Sequence, residues 1–201
     1  MKQKKILIVF GTRPEAIKMA PLVHKLKSET HIVSKVCITS QHREMLDQVL
    51  NLFEIKPDYD LNIMQKSQSI ADVTSKIVLG MKKVFDDFLP ELVLVHGDTT
   101  TTFATSLAAY YEQIKIGHVE AGLRTGNIYA PWPEEGNRKL TGAVCNYHFA
   151  PTSNSMKNLL NEGVKEENII VTGNTVIDSL FFIMNKIDND QEISRKLNNQ
   201  F

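Results

Sequence analysis

Six short apolar runs recur along the chain, and most lack the in/out alternation of a half-exposed strand. They are KKILIVF (4–10), IVSKVCIT (32–39), LVLVHG (92–97), IKIGHVE (114–120), YHFAPT (147–152) and NIIVTG (168–173). A strand that is apolar on both sides must be covered on both faces, which is the condition of a parallel sheet between two helical layers. The stretches between the runs carry helical spacing: PEAIKMAPLVHKLKSE, HREMLDQVLNLF, SIADVTSKIVLGMKKVFDDFL, TTFATSLAAYYEQ and EEGNRKLTGAVC, then SNSMKNLLNEG and TVIDSLFFIMNKI. Strand and helix in alternation predict a right-handed, doubly wound α/β sheet of Rossmann-like type. After Ile187 the sequence turns polar, DNDQEISRKLNNQF, without an apolar face. The lobe is therefore predicted over 1–187, and 188–201 reads as a linker or tail.

Charge narrows the function classes. The 201 residues hold 23 basic and 23 acidic side chains, so no global field favours nucleic acid or a membrane surface. The apolar run from Ile6 to Phe10 is short for a signal segment, with Arg13 and Glu15 close behind. No run approaches the roughly 20 apolar residues that span a bilayer. The expectation is a soluble, cytoplasmic chain. Cys37 and Cys145 form no C-x-x-C pair and read as buried free thiols.

In a sheet of this kind ligands bind beyond the carboxyl ends of the strands. The junctions there are GTRPE, TSQHRE, HGDTTT, HVEAGLRTG, APTSNS and TGNTVID. Asp98 reads equally as a helix N-cap and as an acid beside Gly97, where a ligand can approach the backbone closely. Glu120 follows an apolar run directly and precedes Ala121 and Gly122, so it emerges at a strand tip. Glu134 and Glu135 follow Pro133, which is ordinary chemistry for a helix start. Arg13 and Lys18 flank the first helix start, where N–H donors and a guanidinium suit an anion. His42 reads as an acid/base or as a polar helix start, and His96 and His118 as satisfied core histidines. G-x-G-x-x-G after the first strand, the P-loop, H-E-x-x-H and G-x-S-x-G are all missing. The chemistry then rests on carboxylates and anion binding, with no metal or redox cofactor implied.

The blocks VFGTRPEAIKMAPL, TSQHREMLDQVL, PDYDLNIM, VLVHGDTTTT, GHVEAGLRTG, PWPEEGNRKLT and TGNTVID resemble, in order, those of the bacterial non-hydrolysing UDP-N-acetylglucosamine 2-epimerases. The resemblance runs from Lys4 to about Ile187. It implies interconversion of UDP-GlcNAc and UDP-ManNAc for cell-envelope polysaccharide: loss of the C2 proton, expulsion of UDP, and re-addition with the proton on the other face. It implies no cofactor. Asp98, Glu120 and Glu134 match the family's catalytic carboxylates, and Arg13 and Lys18 its nucleotide-binding residues. Thr99, Arg124, Glu135, Asn174 and His42 stand behind them. Family members are nearly twice as long and two-lobed, so the resemblance implies the first lobe of a glycosyltransferase-B-like fold, the second lobe being absent. The isolated chain is then expected to be inactive or very weak, with UDP-sugars as ligands, a homodimer through this lobe and a separate second-lobe polypeptide as partners. The rival readings are a related glycosyltransferase or hydrolysing epimerase, and a non-catalytic module that binds a sugar nucleotide or a partner.

Overall fold

Both faces of the central strands are sealed, as the missing alternation requires. In β1 (Lys4–Phe10), Leu7 and Val9 point into one apolar core, and Ile8 and Phe10 into another; none is more than 1% exposed. Burying such side chains contributes about 1.5–3 kcal/mol each. The structure is a computed structural model that describes residues 3–40, 43–65 and 67–189. Most of the predicted tail therefore lies outside the described residues.

The chain continues through α1 (Arg13–Ser28), β2 (Ile32–Ile38), α2 (Arg43–Leu52), β3 (Tyr59–Asp60), α3 (Ile70–Phe88) and β4 (Leu92–His96). It goes on through α4 (Thr100–Tyr111), β5 (Lys115–Val119), α5 (Glu134–Val144), β6 (Tyr147–Ala150), α6 (Ser153–Asn161), β7 (Ile169–Val171) and α7 (Val176–Asn189). The strands lie side by side in the order β3-β2-β1-β4-β5-β6-β7, every pairing parallel. This is the doubly wound sheet expected, with one strand more than the six apolar runs. The addition, β3, is a two-residue edge strand flanked by Asp58, whose side chain accepts the Val36 N–H at 2.8 Å. Its acidic composition gives no apolar signal. Cys37 is buried, and burial pushes its thiol up to about 12. Cys145 is only half-buried, which corrects the expectation of two buried thiols, since it caps the C-terminal end of α5. Among the described residues no helix is long and apolar enough to cross a membrane.

Strand order reverses between β1 and β4, so the helices leaving those two strands diverge and open a crevice at the sheet's carboxyl edge. The last helix, α7, crosses back onto α1. Its Phe182 stacks on His24, ring centroids 5.0 Å apart, and Phe53 lies 5.4 Å away. The contact also repairs a defect in α1. Pro21 sits inside that helix and has no N–H, which leaves the carbonyl of Ile17 four residues earlier without its helical partner. Ser179 of α7 donates its hydroxyl to that carbonyl at 2.5 Å and is itself 2% exposed.

Ser179→Ala is expected to lower unfolding stability by about 0.5–1.5 kcal/mol, because a half-buried carbonyl loses its donor. In the Pro21→Ala background the same change should cost less, since the restored N–H serves Ile17. Urea unfolding of the four proteins of this cycle measures the difference. Equal costs in both backgrounds would separate Ser179 from the proline.

Candidate active site

The crevice is built around a buried acid. Glu15, 2% exposed, lies in the first turn of α1. Its Oε2 accepts from the N–H groups of Gly11 and Thr12, at 2.9 and 2.8 Å, and from the Thr12 hydroxyl at 2.8 Å. Its Oε1 accepts from the Thr99 hydroxyl at 2.7 Å, on the far side of the reversal. The Thr102 hydroxyl lies 3.1 Å from Oε1 and also reaches the main-chain oxygen of His96; its one proton serves either, not both. Burial pushes the Glu15 carboxyl up, and the hydrogen bonds from Thr99, Gly11 and Thr12 pull it back without cancelling the effect. Sequence reading placed Glu15 at the edge but gave it no role. The Thr12-x-x-Glu15 spacing, a capping-box signature, was the available signal.

The threonines divide the remaining work. Thr99 caps α4, its side chain accepting the Thr102 N–H at 3.2 Å. Thr101 meets Thr39 across the sheet, hydroxyl to hydroxyl at 2.9 Å. Both lie over Gly11, where an added Cβ would fall 2.0 Å from the Thr39 Oγ1 and 2.4 Å from the Thr101 Oγ1. Asp98 is therefore not the helix cap; Thr99 is, which leaves the aspartate side chain for other partners.

Asp98 finds those partners on α5. Arg138 donates from Nε and Nη2 to Oδ2 at 2.9 and 2.6 Å, and Asn137 donates from Nδ2 to the Asp98 carbonyl at 2.9 Å. The preceding Gly97 has φ +68, and His118 of β5 pins its carbonyl, Nε2 to oxygen 2.6 Å.

Glu120 leaves β5 with φ +63, a left-handed conformation costly for a residue with a side chain and concentrated at functional sites. Lys18 reaches its Oε1 at 2.5 Å, and Asn174 its Oε1 at 3.4 Å. His96 Nε2 stands 3.6 Å from its Oε2, and a Cβ on Gly97 would lie 3.7 Å from that same oxygen. Asp98 and Glu120 thus border one glycine turn at the tips of adjacent strands. Glu134 opens α5 with a buried Oε2 that has no hydrogen-bond partner among the described residues.

Other sequence candidates fall differently. Glu135 is fully buried, pairing with Arg138 at 3.0 Å and accepting the N–H groups of Thr125 and Gly126 at 3.2 and 3.3 Å. Arg124 forms a bidentate pair with Glu162, at 2.9 and 2.7 Å, instead of facing the Asp98 turn. Asn174 also accepts the Val176 N–H at the start of α7, 3.1 Å. Arg13 is exposed at the start of α1. His42 lies outside the described residues. Arg138 was missed; its spacing of three from Glu135 on one helix face was the signal.

The histidines are buried but not satisfied as expected. Neither ring nitrogen of His96 and not Nδ1 of His118 has a hydrogen-bond partner among the described residues. Burial holds both rings down at about 3, with the charge of nearby Lys18 adding to the effect at His96. Among the described residues no cluster of His, Cys, Asp and Glu could hold a metal ion.

Known proteins share this sequence and fold. The family model described as UDP-N-acetylglucosamine 2-epimerase matches residues 24–201. The UDP-N-acetylglucosamine 2-epimerase of Salmonella typhimurium is 60% identical over 197 residues, covering 98% of this chain and 52% of that protein. The crystal structure of the Neisseria meningitidis UDP-GlcNAc 2-epimerase bound to UDP-GlcNAc superposes with a TM-score of 0.94 at 57% identity, over 98% of this chain and 54% of the other. The Methanocaldococcus jannaschii UDP-GlcNAc 2-epimerase in complex with UDP-GlcNAc and UDP gives 0.88 at 34% identity, over 97% and 53%. The chain spans about half the length of the relatives it matches.

The buried histidines set an acid limit on the fold. A ring held at about 3 when folded and near 6.5 when unfolded contributes stability that is present above 6.5 and lost as pH falls toward 3. His118→Gln, which keeps an amide donor for Gly97, is expected to flatten the fall in stability between pH 6 and 4 by up to about 1.4 kcal/mol per pH unit. Glu15 acts in the opposite sense, so the readout is the difference in slope between variant and wild type in urea unfolding. Parallel slopes would mean that His118 takes up a proton in the folded state.

Proposed function

The chain belongs to the UDP-N-acetylglucosamine 2-epimerase family, and we propose that it supplies the acid–base lobe of a two-lobed enzyme interconverting UDP-GlcNAc and UDP-ManNAc. The observation that carries this reading is the placement of Asp98 and Glu120 on one glycine turn, each carboxylate held by a single cation. In the forward step a carboxylate takes the proton from C2. The C2–H electron pair becomes the second bond of C1=C2, and the C1–O bond breaks to release UDP. In the return step UDP adds back at C1 while a carboxylic acid delivers a proton to the opposite face of C2. Inversion at C2 thus requires proton handling on two faces, which two or more carboxylates in one cleft provide.

In this reading Asp98, Glu120 and Glu134 are the groups that handle the proton. Arg13 and the first turn of α1 offer a guanidinium and N–H donors to the nucleotide's phosphates, and Lys18 adds its ammonium. Thr99, through Glu15, holds the β4 turn to the β1 turn. Asn174 steadies Glu120. Arg124 and Glu162 brace the loop after β5. The lobe comprises residues 1–187, and the other half of the relatives' length supplies the second wall of the cleft. The same reading makes the enzyme a cytoplasmic homodimer that feeds cell-envelope polysaccharide synthesis without a cofactor.

Proton NMR of UDP-GlcNAc in D2O tests this directly. The 201-residue chain alone is expected to exchange C2 little or not at all. Together with a polypeptide carrying the second half of a relative, it should incorporate deuterium at C2 and form UDP-ManNAc. Asp98→Asn and Glu120→Gln should each slow that exchange by roughly a hundredfold or more. Undiminished exchange in both variants would overturn the assignment. Release of free ManNAc would move it to a hydrolysing enzyme.

A further inference from the structure

We infer that Arg138 is the positioning residue that fixes the orientation of the Asp98 carboxylate, with buried Glu135 as its anchor; the functional weight of this inference rests on the reading of Asp98 above. Two N–H groups of one guanidinium, Nε and Nη2, converge on a single oxygen, Oδ2, at 2.9 and 2.6 Å. The neighbouring residue, Asn137, holds the Asp98 carbonyl at 2.9 Å. Consecutive positions of α5 therefore grip both the main chain and the side chain of Asp98. Its other oxygen, Oδ1, takes no hydrogen bond from any described residue. The clamp leaves one oxygen for chemistry and fixes where it points.

The guanidinium is itself fixed. Nη1 donates to Glu135 Oε2 at 3.0 Å, three residues earlier on the helix. Glu135 has no exposed surface, and its Oε1 already accepts the N–H groups of Thr125 and Gly126. With both oxygens engaged and no surface exposed, Glu135 is an anchor, not a reacting group. An arginine side chain only 15% exposed needs a compensating charge. Glu135 provides it, so the charge of Asp98 is not consumed in balancing Arg138. Three donors in a rigid fork are required to span both carboxylates at once, which one compact ammonium does not offer. The two adjacent acids of the PWPEE segment thus differ: Glu134 keeps a buried oxygen without a partner among the described residues, and Glu135 holds the clamp.

The test reads orientation directly. Arg138→Met alone leaves Glu135 buried and uncompensated and is liable to unfold the chain. The comparison is therefore between Glu135→Gln and the double variant Glu135→Gln/Arg138→Met, with backbone amide spectra confirming that each stays folded. Three-bond couplings from the Asp98 Cγ to its own amide nitrogen and carbonyl carbon report its χ1 angle. The expected result is the coupling pattern of one staggered rotamer in wild type and in Glu135→Gln, and loss of that pattern to averaged values in the double variant. Single-rotamer couplings that persist in the double variant would overturn the inference. Because the readout is a side-chain angle, it stands apart from the C2 exchange experiment. A clamp without catalysis at Asp98, and catalysis without a clamp, are distinguishable results.

Discussion

A carboxylate sealed from water must find its donors inside the protein, and Glu15 finds them on both sides of the sheet's reversal. Gly11 and Thr12 belong to the turn after β1, and Thr99 to the turn after β4. These are the two turns that diverge at the strand-order switch, so one side chain ties them together. Losing that acceptor would strand donors of both turns at once, the buried Gly11 N–H at a desolvation cost of about 1–3 kcal/mol. The glycine at position 11 is part of the same device. A methyl group there would collide with Thr39 and Thr101, so the first turn passes close beneath α4 only because nothing protrudes from it.

The rest of the site is referenced to that crossing. Thr102 carries the link from α4 to the main chain of His96, and His118 fixes the carbonyl of Gly97 from the adjacent strand. The Gly97–Asp98 turn is thereby held from α4, β5 and α5 together. Glu120 is delivered to it from β5 in a backbone conformation that a glutamate adopts at a cost. Such strain persists only where surrounding contacts impose it, and here Lys18 of α1 supplies one of them.

The layered architecture was legible because burial writes itself into composition. Leu7, Ile8, Val9 and Phe10 can be consecutive only when both faces of their strand are covered, and they are. β3 was illegible for the converse reason: Tyr59 and Asp60 form a strand because the edge of β2 offers them partners, not because they are apolar. The acids at the strand tips were visible as residue types at junctions, but their partners were not. Arg138 lies 40 residues beyond Asp98, and only the fold brings α5 against the β4 turn. The His96 and His118 rings looked like satisfied core residues because their neighbours are apolar. The orphan nitrogens emerge only when each possible partner is placed and found too far away.

The two cation–carboxylate pairs at the cleft are built differently, and the difference bears on what each carboxylate can do. Lys18 offers Glu120 a compact ammonium on a four-carbon stem, with no second hydrogen-bond partner among the described residues. Arg138 offers Asp98 a planar fork whose third N–H is committed to a buried glutamate, so it cannot swing away without leaving that buried charge unpaired. Glu120 is thus paired by a cation tied to it alone, and Asp98 by one tied to a second acid as well. In the epimerisation proposed above the two acids therefore stand in different surroundings, one paired by a single flexible cation and one held by a rigid fork. The sheet reversal, tied across by Glu15, is what lets a single lobe present the two side by side.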